Sequence, residues 1–345
     1  MSTQSHPPPL IKTLYTADPS AHVFNNTLYI YPSHDIPTDT PSNDNGDQYA
    51  MNDYHVFSIP SLTSLSKSDE PKSESEPDVN VTDHGPVLSL EQVPWASKQL
   101  WAPDAAEKNG RYYLVFPARD QEGLFRIGVA VGTKPEGPFE AQESWLAGSY
   151  SIDPAVFVDR DGDGEAYVYF GGLWGGQLEK WVKDGEGGWV FDVEGKEPSG
   201  PGAPALNPRV ARLSGDMLSL ASPVTELVIL DEEGEPILAD DHDRRFFEAA
   251  WLHKYNGTYY FSYSTGDTHY LVYATSDSPL GPFRYRGRIL EPVLGWTTHH
   301  SIAEFEGKWW LFYHDCEISQ GISWLRNVKV REIGYDEKGD IILID

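Results

Sequence analysis

Three carboxylates stand in similar settings along this chain. Asp18 lies in Thr16-Ala17-Asp18-Pro19-Ser20, Asp153 in Ser151-Ile152-Asp153-Pro154-Ala155, and Glu248 in Phe246-Phe247-Glu248-Ala249-Ala250. They fall 10, 14 and 11 positions before Leu28, Tyr167 and Tyr259, each of which opens a run of aromatic and aliphatic residues. Proline fixes the backbone after both aspartates and favours an extended residue before it, so each carboxylate is expected at a defined strand entry. If the three runs are equivalent units around one axis, the three carboxylates converge. Crowded like charges raise the pKa of at least one member, and Glu248, among apolar neighbours, is the one expected to stay protonated. One carboxylic acid beside one carboxylate is the equipment for hydrolysing a glycosidic bond. The competing reading is local: Asp-Pro is a common turn former, and a Glu in an apolar strand is often salt-bridged.

The elements that must position these groups repeat. Asn26-Thr27-Leu28-Tyr29-Ile30-Tyr31, Gly110-Arg111-Tyr112-Tyr113-Leu114-Val115-Phe116, Gly164-Glu165-Ala166-Tyr167-Val168-Tyr169-Phe170, Gly257-Thr258-Tyr259-Tyr260-Phe261-Ser262-Tyr263 and Gly307-Lys308-Trp309-Trp310-Leu311-Phe312-Tyr313 share one pattern. A turn residue and one variable residue precede an aromatic, aliphatic run, as in an inner β-strand buried on both faces. Five copies indicate a radially repeated all-β protein, a five-bladed β-propeller. The intervals between copies, 84, 55, 92 and 50 residues, each hold a four-stranded blade of roughly 40–50 residues. The two long intervals therefore carry insertions. A second echo, Gly132-Thr133-Lys134-Pro135-Glu136-Gly137-Pro138-Phe139 against Thr275-Ser276-Asp277-Ser278-Pro279-Leu280-Gly281-Pro282-Phe283, reads as a turn into an outer strand. An ordinary β-sandwich with aromatic strands is the alternative architecture.

No linker divides the repeats, so residues 1–345 are read as a single propeller domain. Residues 64–81, rich in Ser, Glu, Lys, Pro and Asp, are too polar to pack and are expected as a surface excursion. Aromatic residues make up 13% of the chain, which suits wedged blades and a pocket that stacks on sugar faces. The net charge is −27, from 53 acidic and 26 basic residues. Such a surface repels nucleic acid and anionic membranes, which are excluded as main partners. The start Met1-Ser2-Thr3-Gln4-Ser5 lacks the features of a secretory signal, and Cys316 has no disulfide partner within the chain. A cytoplasmic protein is the expectation. Nothing in the sequence sets an oligomeric state.

Five motifs occur in order: Ala17-Asp18-Pro19-Ser20, Trp101-Ala102-Pro103-Asp104, Asp153-Pro154, Glu248-Ala249 ahead of Lys254-Tyr255-Asn256-Gly257-Thr258-Tyr259-Tyr260, and His299-His300-Ser301. Together they resemble glycoside hydrolase family 43, five-bladed propeller enzymes that include β-xylosidases, α-L-arabinofuranosidases and arabinanases. The resemblance runs over essentially the whole chain. It implies an inverting mechanism with Asp18 as general base, Glu248 as general acid and Asp153 as the carboxylate that orients the acid and keeps its pKa raised. One departure is that the family often has Glu-Gly-Pro around its acid, whereas this chain has Glu248-Ala249-Ala250.

The same resemblance makes His299 the ligand of a Ca²⁺ held largely through water near the axis, with His300 as the fallback. A lone imidazole is a poor site for a hard cation. The competing reading is a core histidine beneath the site. Trp101 and Arg326 are expected at the sugar, with Phe247 and Trp251 as further candidates. Asp159-Arg160-Asp161-Gly162-Asp163-Gly164 mimics a calcium loop but is read as a hairpin turn.

The segments Ala17–Phe24 and Tyr29–Asp35 look most like the short β-xylosidases of the family. The expected activity is release of single xylose units from the non-reducing end of β-1,4-xylo-oligosaccharides. α-L-Arabinofuranosidase, or both activities, is the runner-up, and a non-catalytic carbohydrate-binding propeller the alternative of another class. Longer relatives carry a β-sandwich that helps close the site. Here insertions at 37–53 or 185–204, or a second subunit, are expected to do so.

Overall fold

The computed structural model describes residues 7–65 and 79–344. The anticipated surface excursion falls largely on residues 66–78, outside the described residues. Blade I is β1 (Thr16–Phe24), β2 (Thr27–His34), β3 (Asp53–Ile59) and β4 (Thr82–Ser89); blade II is β5 (Asp104–Lys108), β6 (Arg111–Arg119), β7 (Phe125–Gly132) and β8 (Glu140–Ala141). Blade III begins with β9 (Ala155–Val158) and β10 (Ala166–Phe170). An inserted hairpin, β11 (Trp181–Lys183) and β12 (Trp189–Phe191), precedes its outer strands β13 (Arg209–Leu213) and β14 (Thr225–Glu226). After the short β15 (Ile229–Leu230), blade IV is β16 (Glu248–Tyr255), β17 (Thr258–Ser264), β18 (Leu271–Ser276) and β19 (Phe283–Leu290), with β15 added in parallel along β19. Blade V is β20 (His300–Phe305), β21 (Lys308–Asp315), β22 (Asn327–Tyr335) and β23 (Ile341–Leu343).

Within each blade the four main strands pair antiparallel in chain order. The first strands β1, β5, β9, β16 and β20 pack one against the next, and β20 returns to β1. The fold is a five-bladed β-propeller. The two long intervals between aromatic repeats contain, in turn, residues 35–52 and 66–78 of blade I and the β11–β12 insertion.

One expectation needs correcting. The aromatic runs are β2, β6, β10, β17 and β21, the second strand of each blade rather than the innermost. Geometry explains the difference: first strands crowd around the axis and favour small residues, as in Asp104-Ala105-Ala106 and His300-Ser301-Ile302-Ala303. Second strands lie where the blades begin to splay, so large rings fill the wedge. All five residues of Ala166-Tyr167-Val168-Tyr169-Phe170 are buried.

The echoed segments are the turns between third and fourth strands in blades II and IV, and they join blades. Tyr31 Oη on β2 donates to Pro135 O at 2.7 Å, and Tyr169 Oη on β10 donates to Pro279 O at 2.8 Å. Nearer the axis, Asp104 accepts from Ser20 Oγ of blade I, from Val156 N of blade III and from its neighbour Ala105 N. The segment Asp159–Gly164 is the β9–β10 hairpin turn: the Gly162 and Gly164 amides donate to Asp159 O, and the Asp159 side chain pairs with Lys254.

The ring closes without sharing a strand between its ends. Leu10 N donates to Val328 O and Thr16 N to Arg326 O, and Ile11, Ala21, Phe57, Phe312, Val328 and Val330 form a common apolar cluster. If the tyrosine bridges are independent fasteners, Tyr31→Phe and Tyr169→Phe each cost about 1 kcal/mol. Because they sit in different blades, the double variant should lose the sum within about 0.5 kcal/mol in denaturant unfolding. A cost near zero for both would show that the hydroxyls hold nothing.

Candidate functional site

At the axis, one cavity of about 390 Å³ is lined by seven of the expected site residues: Asp18, Trp101, Asp153, Phe247, Glu248, His299 and Arg326. Trp251 is not among them. Its indole N–H donates to Ile302 O inside the apolar core between blades IV and V.

The carboxylates reach the axis through strained strand entries. β1 carries a bulge between Ala17 and Ser20, and Asp18 there has φ 48°. Asp153, two residues before β9, has φ 55°. Both backbones are left-handed rather than extended, contrary to the Asp-Pro expectation. A bulge re-aims a side chain, and Asp is among the few residues that tolerate positive φ. In blade IV the register pairs Glu248 with Ser264 and Trp251 with Ser262, as Ala17 pairs with Ser33 and Ser20 with Tyr31 in blade I. Glu248 therefore occupies the place of Ala17, one residue before the Asp18 position. The residue equivalent to Asp18 is Ala249, with φ 62°. Ala249 thus adopts a conformation that glycine takes at no steric cost.

Asp18 is the most constrained of the three. Its Oδ1 accepts from Arg326 Nη1 at 2.9 Å, its Oδ2 from Ser33 Oγ at 2.6 Å, and its own amide donates to His314 Nδ1 at 3.0 Å. Since Nδ1 of His314 is an acceptor and Nε2 lies 3.0 Å from Thr297 O, this imidazole is neutral. Its 3.3 Å approach to Asp18 Oδ1 is accordingly no ion pair. Burial pushes the His314 pKa down to about 3. Arg326 is itself gripped by Asp35: Nε and the backbone amide reach Oδ2 at 2.8 and 2.9 Å, and Nη2 reaches Oδ1 at 2.7 Å. Burial opposes ionisation of Asp18, but the Arg326 guanidinium, with help from the Ser33 hydroxyl, outweighs it and holds the pKa at about 2.

The other two carboxyls behave oppositely. Burial, then the charge on Asp18, pushes Glu248 up to about 8. Burial, then the nearby Glu248 and Asp18, raises Asp153 well above its ordinary value. Arg326 supplies one positive charge against Asp18 and Asp35, so ionising both remaining carboxyls would leave an uncompensated excess. One further unit charge 4 Å away costs about 4 kcal/mol at an effective dielectric of 20. Asp153 and Glu248 thus titrate as a pair that retains a proton at neutral pH. Asp153 Oδ2 accepts from Ala249 N at 2.8 Å. This bond ties blade III to the residue following Glu248.

His299 lines the cavity, with Nδ1 3.6 Å from Asp18 Oδ1 and 3.7 Å from Asp153 Oδ2. Burial lowers its pKa, leaving a neutral ring that makes no hydrogen bond among the described residues. A neutral nitrogen facing two carboxylates fits a cation that keeps most of its water. His300 does not compete for this place: it is buried in β20 with Nε2 2.6 Å from Ser262 Oγ.

The walls come largely from loops. Asn43, Gly46, Gln48, Tyr49 and Met51 belong to the expected 37–53 insertion. Gly46, at φ +74°, lies where a Cβ would come within 2.5 Å of Trp101, so the loop closes over this ring only with glycine there. The 185–204 insertion does not line the cavity. It supports the wall from behind through Glu197, which accepts from Trp174 Nε1 and Arg245. Trp174, Trp296 and Trp324 also line the cavity and were not singled out in the sequence. Their signal was an aromatic residue set among glycine, serine or threonine in a loop, as in Gly172-Leu173-Trp174-Gly175 and Gly295-Trp296-Thr297. Trp174 packs edge-on to Phe247 and stacks near Trp296, with centroids 5.2 and 6.1 Å apart.

Removing the Arg326 guanidinium leaves two buried carboxylates facing each other. Arg326→Ala should cost about 3–5 kcal/mol. The sign with pH is fixed by Asp18, whose folded pKa of about 2 lies below its ordinary 3.8. Its contribution is complete above 3.8 and disappears as pH falls through about 2. The gap between wild type and variant in thermal unfolding should therefore narrow on acidification; a gap that widens would contradict the assignment.

The model of glycosyl hydrolases family 43 matches residues 71–341. A xylosidase/arabinosidase of Humicola insolens is 67% identical over 97% of this chain and 98% of its own length. A β-xylosidase of Xylanibacter ruminicola is 51% identical over 95% of this chain and 96% of its own. Among solved structures, a β-xylosidase/α-arabinofuranosidase from a compost microbial metagenome, in complex with xylotriose and in a calcium-free form, superposes with a TM-score of 0.90. It shares 56% identity and covers 99% of this chain and 97% of that one. The chain belongs to glycosyl hydrolases family 43 and is a glycoside hydrolase.

Proposed function

We propose that this enzyme is an inverting exo-glycosidase that releases xylose from the non-reducing end of β-1,4-xylo-oligosaccharides. The observation that carries the reading is the split ionisation inside one pocket: Asp18 is held at about 2 while Glu248 is pushed up to about 8. At neutral pH that is a base and an acid with different jobs. Asp18, anchored through both oxygens, takes a proton from a water that attacks the anomeric carbon. Glu248 gives its proton to the departing glycosidic oxygen. Asp153 is a positioning residue that fixes the Ala249 amide and, as a neighbouring carboxyl, keeps Glu248 protonated. Trp101, Phe247 and Trp174 offer ring surfaces to a pyranose, and the buried axis residues floor the pocket, as suits a terminal sugar.

The names of the relatives favour a second activity. Both the Humicola insolens protein and the compost enzyme are named for xylosidase and arabinosidase action. α-L-Arabinofuranosidase action in the same pocket is therefore part of the proposal, with xylobiose expected as the faster substrate against arabinofuranosyl oligosaccharides.

Asp18→Asn should cut turnover on every substrate by roughly 10²–10⁴ or more. Glu248→Gln should do the same on xylobiose, but less on an aryl xyloside whose leaving group needs little protonation. In wild type, kcat/KM should fall as pH rises through about 8, because Glu248 loses its proton there. Glu248→Gln should lack that limb. Proton NMR during turnover should show the inverted anomer first. A retained first product, or near-normal rates in Asp18→Asn, would overturn the roles.

A Ca²⁺ held by His299 is proposed alongside. Its charge would offset the repulsion among the carboxyls around it. Chelation should then lower activity and melting temperature together, and Ca²⁺ should restore both by at least a few degrees, since ions that bind only the folded state stabilise it. His299→Ala should abolish the response. No change on chelation would leave His299 as a structural residue.

A further inference from the structure

Away from the pocket floor, blade I brings together a second set of donor atoms. His34 ends β2 and Asp53 begins β3, so the two stand at either end of the loop that walls the cavity. His34 Nδ1 is 2.5 Å from Asp53 Oδ1. The His55 ring, two residues further along β3, stands edge-on to His34 with centroids 5.0 Å apart. One donor atom from each of His34, Asp53 and His55 lies within 4.8 Å of the others, and this is the one such group among the described residues.

Hydrogen bonding accounts for each pair singly, His34 with Asp53 and His55 with Asp83. It does not account for the convergence of the second imidazole on the first pair. His55 Nδ1 faces both oxygens of Asp83 at 2.9 and 3.2 Å. That leaves its Nε2 as the ligand atom and Asp83 as the carboxylate that orients it, an arrangement common behind metal-bound histidines. Side-chain exposures of 18% for His34, 24% for Asp53 and 11% for His55 let an ion enter and keep a water. Two imidazole nitrogens and one carboxylate suit Zn²⁺ or a neighbouring first-row dication, not Ca²⁺, which prefers six to eight oxygens.

We infer that His34, Asp53 and His55, backed by Asp83, bind a first-row transition-metal dication such as Zn²⁺ and so staple the two ends of the pocket-wall loop. Asp35, the next residue after His34, grips Arg326, so the staple sits one residue from the clamp on Asp18. The site shares no ligand with His299.

The test uses the full chain without an affinity tag, stripped with chelator and titrated with ZnCl₂ by calorimetry and with CoCl₂ by visible absorption. Wild type and His299→Ala should each take up an ion here and show the d–d bands of low-coordinate Co²⁺. His55→Ala and His34→Ala should lose that signal, and Asp83→Asn should bind at least tenfold more weakly. Limited proteolysis within residues 36–52 should slow about tenfold at saturating Zn²⁺ in wild type only. Absence of Co²⁺ bands in wild type would overturn the site irrespective of how the variants fold, as would equal Zn²⁺ uptake by wild type and His34→Ala. Binding with unchanged cleavage of the loop would overturn the staple.

Discussion

The fork of Arg326 between Asp18 and Asp35 is the interaction on which both the ring and its chemistry rest. Arg326 precedes β22 in the last blade, while Asp18 and Asp35 belong to the first. The ring is not closed by a shared strand, so its seam depends on this buried fork, two flanking backbone hydrogen bonds and the apolar cluster between the blades. The same guanidinium is the largest influence opposing the effect of burial on Asp18. Closing the propeller and setting the ionisation of the residue we assign as base are therefore one event. A protein whose seam opened would lose the depressed pKa of Asp18 along with its position.

The second constraint is crowding. Asp18, Asp35, Asp153 and Glu248 share one guanidinium near the axis, and the histidines around them are neutral. Charge can be kept there only where donors converge. Asp18 has Arg326 and Ser33, and Asp153 has a single backbone amide, whereas Glu248 forms no side-chain hydrogen bond among the described residues. That inventory sets Asp18, held low, apart from the other two, which are both raised. Backbone strain is stored here as well: positive φ at Asp18, Asp153 and Ala249 costs of order 1–3 kcal/mol each, held at Asp18 and Ala249 by the bulges that open β1 and β16.

Much of this was legible in the sequence for a physical reason. Strands wedged between blades need large rings, so five aromatic runs gave the architecture. Asp18, Asp153 and Glu248 stood out because charge beside apolar runs is costly unless it has a purpose. What failed was register: that Glu248 sits one residue early relative to Asp18, and that the aromatic strands are second from the axis, depend on bulges and strand order that spacing alone does not encode. The partners of Asp18 were hidden for another reason. Arg326 and His314 lie 308 and 296 positions away, and no local pattern reveals a contact made by closing a ring. Asp35 and Ser33, in an ordinary strand end, carried no mark of their role.

The division between strands and loops bears on the two-pentose activity we propose. Asp18, Asp153, Arg326 and His314 sit at strand ends locked by buried polar contacts, where substitution is costly. The upper walls of the cavity come mainly from loops: residues 42–51, Trp174 with its flanking glycines, Trp296 and Trp324. Trp296 is 41% exposed, unlike any of the carboxylates at the axis. Loop walls can be reshaped without disturbing the charge balance beneath them. In the proposed activity the chemistry is thus set by the seam and the axis, while the loop walls offer the surfaces that can distinguish one pentose from another.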